Sequence, residues 1–199
     1  MGCHPHNAKE MDVNYYNKLQ ALIKNNQDTV VAVGEAGLDY DRMFSEMNQQ
    51  KRVLSQLQTI AIEQELPMFL HERKAVNDFV KTMKKERQLC MKSVVHCFTG
   101  DKNTAYSYLQ LGLYIGLTGW ICDNRRNKEV LEALKIIPLE RILIETDAPY
   151  LTPLGYNLDK RNTPDNLKYV INKIAEIKNV NASEVEKVTY ENTKKLFNI

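Results

Sequence analysis

The chain carries almost no net charge: 27 Lys and Arg against 25 Asp and Glu leave a formal +2 over 199 residues. That balance excludes a protein wrapped in a uniform basic field, so any contact with phosphates must come from a local cluster of Lys and Arg. No segment approaches the roughly 20 apolar residues that a membrane span requires. The opening Met1-Gly2-Cys3-His4 carries neither an apolar signal core nor an Arg-rich amphipathic stretch. The four cysteines, Cys3, Cys90, Cys97 and Cys122, lie far apart and form no CxxC pair, which fits free thiols in a reducing compartment, used in packing. An intracellular protein, cytoplasmic or nuclear, with no membrane association is expected. Linkers, low-complexity tracts and sequence repeats are missing too. With 43% apolar residues, the chain can bury a sizeable core, so residues 1–199 read as a single globular domain.

What the sequence does contain is an alternation of short apolar runs with helical periods. The runs at 29–33, 67–70, 93–95, 113–117 and 141–144 suit strands buried on both faces, the pattern of a parallel sheet. Between them, Val53, Leu57, Ile60 and Ala61, then Val76, Phe79, Val80 and Met83, then Val130, Leu131 and Leu134 recur at helical spacing. Leu167, Val170, Ile171, Ile174 and Ile177 predict a further helix. Ser183 with Glu186 reads as a capping box that opens a last one through Val185, Val188 and Leu196. The fold class is α/β, and periodicity alone leaves a closed barrel and an open doubly wound sheet both standing. In either, residues just past the carboxyl ends of the strands face the site.

Polar residues collect at those ends. Glu35 follows the first run, His71 the second, His96 the third and Asp147 the last. A single strand-terminal histidine is often a satisfied core residue, and an aspartate before Ala-Pro is often a turn or helix cap. Taken together, the bland explanation requires four costly polar side chains at one end of a sheet without a common partner. Two imidazoles and two carboxylates are the nitrogen and oxygen donors that a divalent cation takes.

These residues carry a family resemblance. Gly-Glu-x-Gly-Leu-Asp at 34–39, Pro-Met-Phe-Leu-His-x-Arg at 67–73, Val-His-Cys-Phe-Thr-Gly at 95–100, Tyr-Ile-Gly-Leu-Thr-Gly-Trp at 114–120 and Ile-Glu-Thr-Asp-Ala-Pro-Tyr-Leu at 144–151 resemble, in order, the signatures of the TatD family of metal-dependent deoxyribonucleases. The likeness implies a (β/α)8 TIM barrel of the amidohydrolase type. It further implies hydrolysis of DNA phosphodiester bonds from the 3′ end, with one or two divalent ions (Mg, Mn or Zn) held by Glu35, His71, His96 and Asp147. Glu35 and Asp147 become the expected catalytic carboxylates, Asp147 as the base that orients or deprotonates the attacking water. His4 matches a pocket histidine of the family, and Arg73 and Arg161 match positions suited to grasping phosphate; an ion pair at the surface is the competing role for each arginine.

Relative to the family pattern, the chain opens at the Gly-x-His-Pro stretch. The first two to three strands of the barrel are therefore expected to be lacking, leaving an N-terminally incomplete domain. Ala36, Glu72, Lys74 and Thr163 stand where Cys, Cys, Asp and Glu are common in the family; Glu72, next to His71, is expected to point to the opposite strand face. Two further functions remain open: a metal hydrolase acting on a small ester, amide or aminoacyl-nucleic-acid bond, and an inactive truncated remnant.

Overall fold

The computed structural model describes residues 1–199 except Asn157 and Lys160. Contacts among the described residues divide the chain into two compact units.

The first unit comprises Met1–Val95 with the short pieces Leu111–Leu113 and Leu196–Ile199. Its elements are α1 (Val13–Lys24), β1 (Val33–Asp39), α2 (Met47–Glu63), β2 (Met68–Arg73), α3 (Val76–Met83), α4 (Arg87–Cys90) and β3 (Val94–Val95). Asp12 caps α1 by accepting from the Tyr15 N–H at 2.7 Å. Glu46 and Gln49 cap α2 reciprocally, which satisfies donors that the first turn leaves unpaired. The expected face of α2, Val53, Leu57, Ile60 and Ala61, is buried, and each large aliphatic side chain withdrawn from water contributes roughly 1.5–3 kcal/mol. β1 pairs with β2, and β2 with β3, in parallel.

The second unit comprises His96–Gln110 and Tyr114–Lys195. It holds most of α5 (Lys102–Leu111), then β4 (Tyr114–Leu117), α6 (Lys128–Ile136), β5 (Ile142–Ile144), α7 (Leu167–Lys178) and most of α8 (Ala182–Phe197). β4 and β5 pair in parallel, with Leu117 opposite Ile144. Asn192 on α8 donates to the Leu139 and Ile142 carbonyls at 2.9 and 2.8 Å, tying that helix to the start of β5.

An α/β fold with five parallel strands is thus present among the described residues. The first strand is displaced from its expected place: residues 29–32 lie outside it and Val33, the end of the predicted run, is its first residue. The true β1 is rich in glycine and polar residues, which hydropathy does not read as a strand. The last helix also starts earlier than the capping box at Ser183 predicts. It begins at Ala182, and the Asn181 carbonyl accepts from Glu184 and Val185. Helices α1, α4 and α5 have no counterpart among the helical periods of the sequence; α1 buries only Leu19 and Ile23, too few to mark a period. The cysteines are free, as expected, and burial pushes the thiols of Cys3, Cys90 and Cys122 up to about 11. No helix is long and apolar enough to cross a membrane among the described residues.

Candidate metal centre

The ladder between β1 and β2 aims the first group of candidate side chains. It runs Gly34 opposite Phe69, slips, and resumes with Ala36 opposite Leu70, Gly37 opposite His71 and Asp39 opposite Arg73. Glu35 is the residue left out of register, and a bulge of this kind re-aims the side chain it carries. Gly37 has a positive φ of 154°, and a Cβ there would overlap the His71 carbonyl oxygen. Only glycine lets the two backbones approach so closely at this point.

Glu35 and His71 meet as a result. His71 Nδ1 lies 2.8 Å from Glu35 Oε1, and His4 Nε2 lies 3.2 Å from the same oxygen. One donor atom from each of His4, Glu35 and His71 falls within 4.8 Å of the others, and all three residues are half-buried. Two imidazoles and a carboxylate form a donor set suited to a borderline or hard divalent ion.

His4 has a further constraint. It caps the short 3-10 turn Pro5–Glu10, its Nδ1 accepting from the His6 backbone N–H at 3.1 Å. In a neutral ring that acceptor role places the proton on Nε2, the nitrogen facing Glu35. His4 therefore presents an N–H to the site, which suits contact with substrate oxygen, and it must surrender its cap or its proton to bind a cation.

Beneath these residues lies Asp39, only 1% exposed. Its Oδ2 is 2.7 Å from His6 Nε2 and 3.3 Å from His71 Nε2, while Oδ1 accepts the backbone N–H groups of Asp41 and Arg42 at 3.0 and 2.8 Å. Burial alone would raise this carboxyl, but the bonds from Arg42, His6 and Asp41, with the charge of His71, outweigh it and hold Asp39 below the usual carboxylate range. Neither Asp39 nor His6 was singled out by position in the sequence. The clue available was His4-Pro5-His6 together with the Asp that closes Gly-Leu-Asp.

The second unit carries its own group, on residues just past β3 and β5. His96, 7% exposed, has Nδ1 3.5 Å from Glu145 Oε2, and Glu145 Oε1 accepts the Cys97 N–H at 2.6 Å. A Cβ on Gly116 would overlap that Glu145 carboxylate, so the glycine of Tyr-Ile-Gly-Leu makes room for it. Glu145 is a residue the sequence reading passed over in favour of Asp147. Asp147 itself is half-buried, and its backbone takes the left-handed region at φ 56°, as does Cys97 at φ 47°. Non-glycine residues held there cost of order 1–3 kcal/mol and concentrate at functional sites. The Asp147 loop is stapled by Asn162, which donates to the Thr146 and Tyr150 carbonyls at 2.9 and 2.8 Å.

Of the two arginines, Arg73 pairs with Asp41 at 2.7 Å, and Lys74 shares that carboxylate. Arg161 is exposed, one residue before the buried Asn162. Glu72 accepts the Ala75 N–H at 2.6 Å, ahead of α3. A groove of about 330 Å³ in the second unit is lined by Trp120, Arg125, Arg126, Leu151, Pro153 and Tyr156, among others. The Arg126 guanidinium lies 3.6 Å above the Trp120 ring, and the buried Asp123 holds Arg125 and Arg126 at 2.8 and 2.7 Å.

Comparison with known proteins gives a consistent result. The profile of the family described as TatD related DNase matches residues 1–198. The 3'-5' ssDNA/RNA exonuclease TatD of Erwinia tasmaniensis is 38% identical over all of this chain and 77% of its own length. Its counterpart in Pectobacterium carotovorum subsp. carotovorum is 37% identical over all of this chain and 76% of its own. Among solved structures, YJJV, a TatD homolog from Escherichia coli, superposes with a TM-score of 0.91 at 30% identity, covering 100% of this chain and 76% of that one. A TatD-family hydrolase from Entamoeba histolytica gives 0.86 at 30% identity, covering 98% and 72%.

Proposed function

This chain belongs to the TatD-related DNase family, and on that premise we propose that it is a metal-dependent 3′–5′ exonuclease hydrolysing phosphodiester bonds of single-stranded DNA and RNA. The observation that carries the proposal is the convergence of His4, Glu35 and His71 on one small volume. DNA alone was the substrate expected from the sequence; the names of the relatives add RNA. The (β/α)8 arrangement belongs to the same proposal, with the five strands described here as five of its eight.

Glu35 and His71 are the proposed cation ligands of the first unit, and His96 and Asp147 those of the second. When bound, Mg, Mn or Zn at such donors would supply an activated water and neutralise charge on the phosphate oxygens. The remaining roles fall to the chain itself. Asp147 orients the attacking water and takes its proton, as a carboxylate at a strand end can. His4 donates a hydrogen bond from its Nε2–H to a phosphate oxygen. Arg161 grips phosphate from the surface, and Arg73 does the same by exchanging Asp41 for substrate.

The test is incubation of the purified chain with end-labelled single-stranded DNA and RNA, in chelator and then with Mg, Mn or Zn restored. Shortening from the 3′ end only with metal is expected. Equal cleavage in chelator would overturn the metal mechanism.

A further inference from the structure

The geometry assigns Asp39 as a positioning residue that fixes the ring of His71 so that its Nδ1 lone pair faces the cation. This inference rests on the metal reading of Glu35 and His71.

His71 is an imidazole between two carboxylates, with Glu35 2.8 Å from Nδ1 and Asp39 3.3 Å from Nε2. A neutral ring has one proton to place. A cation shared with Glu35 requires a lone pair on Nδ1, and the proton must then sit on Nε2, against Asp39. Asp39 is itself unsuited to be a ligand. A carboxylate has about four acceptor positions, and those of Asp39 are already turned to Asp41 N–H, Arg42 N–H and the Nε2 atoms of His6 and His71. The backbone of Asp39 is clamped as well, its N–H donating to Gln50 Oε1 at 2.7 Å and its carbonyl accepting from Gln50 Nε2 at 3.0 Å. A buried, fully engaged anion on a fixed stretch of β1 is a rigid anchor for the far side of a ligand ring. Partners of this kind raise the basicity of the ligating nitrogen and lock its orientation, and their loss typically weakens metal affinity ten- to a hundred-fold.

Two measurements on the full chain decide it. Calorimetric titration with Zn²⁺ and Mn²⁺ compares wild type with Asp39→Asn, which keeps the shape but removes the charge; ten- to hundred-fold weaker binding is expected for the variant. Long-range ¹H–¹⁵N spectra of the Zn²⁺-loaded wild type report the His71 tautomer without any substitution, so the test survives if Asp39→Asn fails to fold. A proton on Nε2 is expected. A proton on Nδ1, or wild-type affinity in Asp39→Asn, overturns the assignment while leaving the metal site standing. Absence of any cation binding by wild type overturns the metal reading and this inference with it.

Discussion

Gly37 and His71 face each other across the β1–β2 ladder with no room for a side chain on the glycine, because a Cβ would overlap the His71 carbonyl oxygen. The position of His71 beside Glu35 therefore depends on a residue that carries no functional group. Gly37→Ala is expected to destabilise the fold by about 2–4 kcal/mol, through backbone clash and an unfavourable positive φ. Affinity for Mn²⁺ should fall with it, since ligand geometry is lost. Urea unfolding and calorimetry on the same preparation check both; an unchanged midpoint would mean that the strands tolerate separation here.

His4 and His71 both lie against Glu35, but in the proposed site they differ in what they offer, an N–H from His4 to substrate and from His71 the lone pair that a cation would take. His71→Ala should reduce metal affinity and turnover by at least about a hundred-fold. His4→Ala should lower turnover while leaving metal affinity within about three-fold of wild type, since its Nδ1 is committed to the His6 N–H. Parallel titrations with Zn²⁺ separate the two roles. Equal loss of affinity in both variants would make His4 a ligand.

Much of this site was legible before any coordinates. His96 directly follows β3 and Asp147 lies three residues past β5, in the region where a parallel sheet exposes its functional residues, whereas Glu35 and His71 lie inside β1 and β2, earlier along their strands than the apolar runs imply. Hydropathy missed β1 itself because Val33–Asp39 spends its residues on glycines and carboxylates rather than on apolar alternation. Asp39 and Glu145 escaped for a different reason. Each acts through hydrogen bonds to a neighbour distant in sequence, Asp39 to His71 and Glu145 to Cys97, and periodicity carries no trace of such pairings. Asn162 likewise matters through carbonyls 12 and 16 residues away.

Asp123 provides a pH test in the second unit. The Arg125 side chain first, then the Arg125 backbone N–H and the charges of Arg125 and Arg126, hold this carboxyl well below the ordinary range against a burial effect of opposite sign. A carboxyl depressed in the folded state stabilises the fold above its unfolded value of about 3.9 and loses that contribution as pH falls toward the depressed one. Asp123→Asn should therefore cost about 1–2 kcal/mol at neutral pH, the partial exposure of both guanidinium groups keeping it modest. Wild type and variant should converge as the pH drops below about 3.9. Denaturant midpoints measured from pH 7 downward check this; a constant difference would remove the Arg125–Asp123 pairing as its cause.

The arginines can be separated by salt. With a net charge of only +2, the chain has no general attraction for nucleic acid, so each phosphate contact should register individually. Neutralising one phosphate of a single strand contributes about 0.7 to the slope of log affinity against log salt. Arg161→Ala removes an exposed guanidinium beside the Asn162 staple and should flatten that slope by about 0.7, with weaker binding at low salt. Arg73→Ala should flatten it less. Its guanidinium already pairs with Asp41, and deleting it frees a carboxylate that Lys74 continues to hold, so part of the exchange with substrate is offset by the pair it leaves behind. Fluorescence anisotropy of labelled single-stranded DNA at several salt concentrations, in Ca²⁺ to avoid turnover, resolves the two. If Arg161→Ala keeps the wild-type slope, phosphate is held elsewhere, and the groove carrying Arg125 and Arg126 becomes the next surface to substitute.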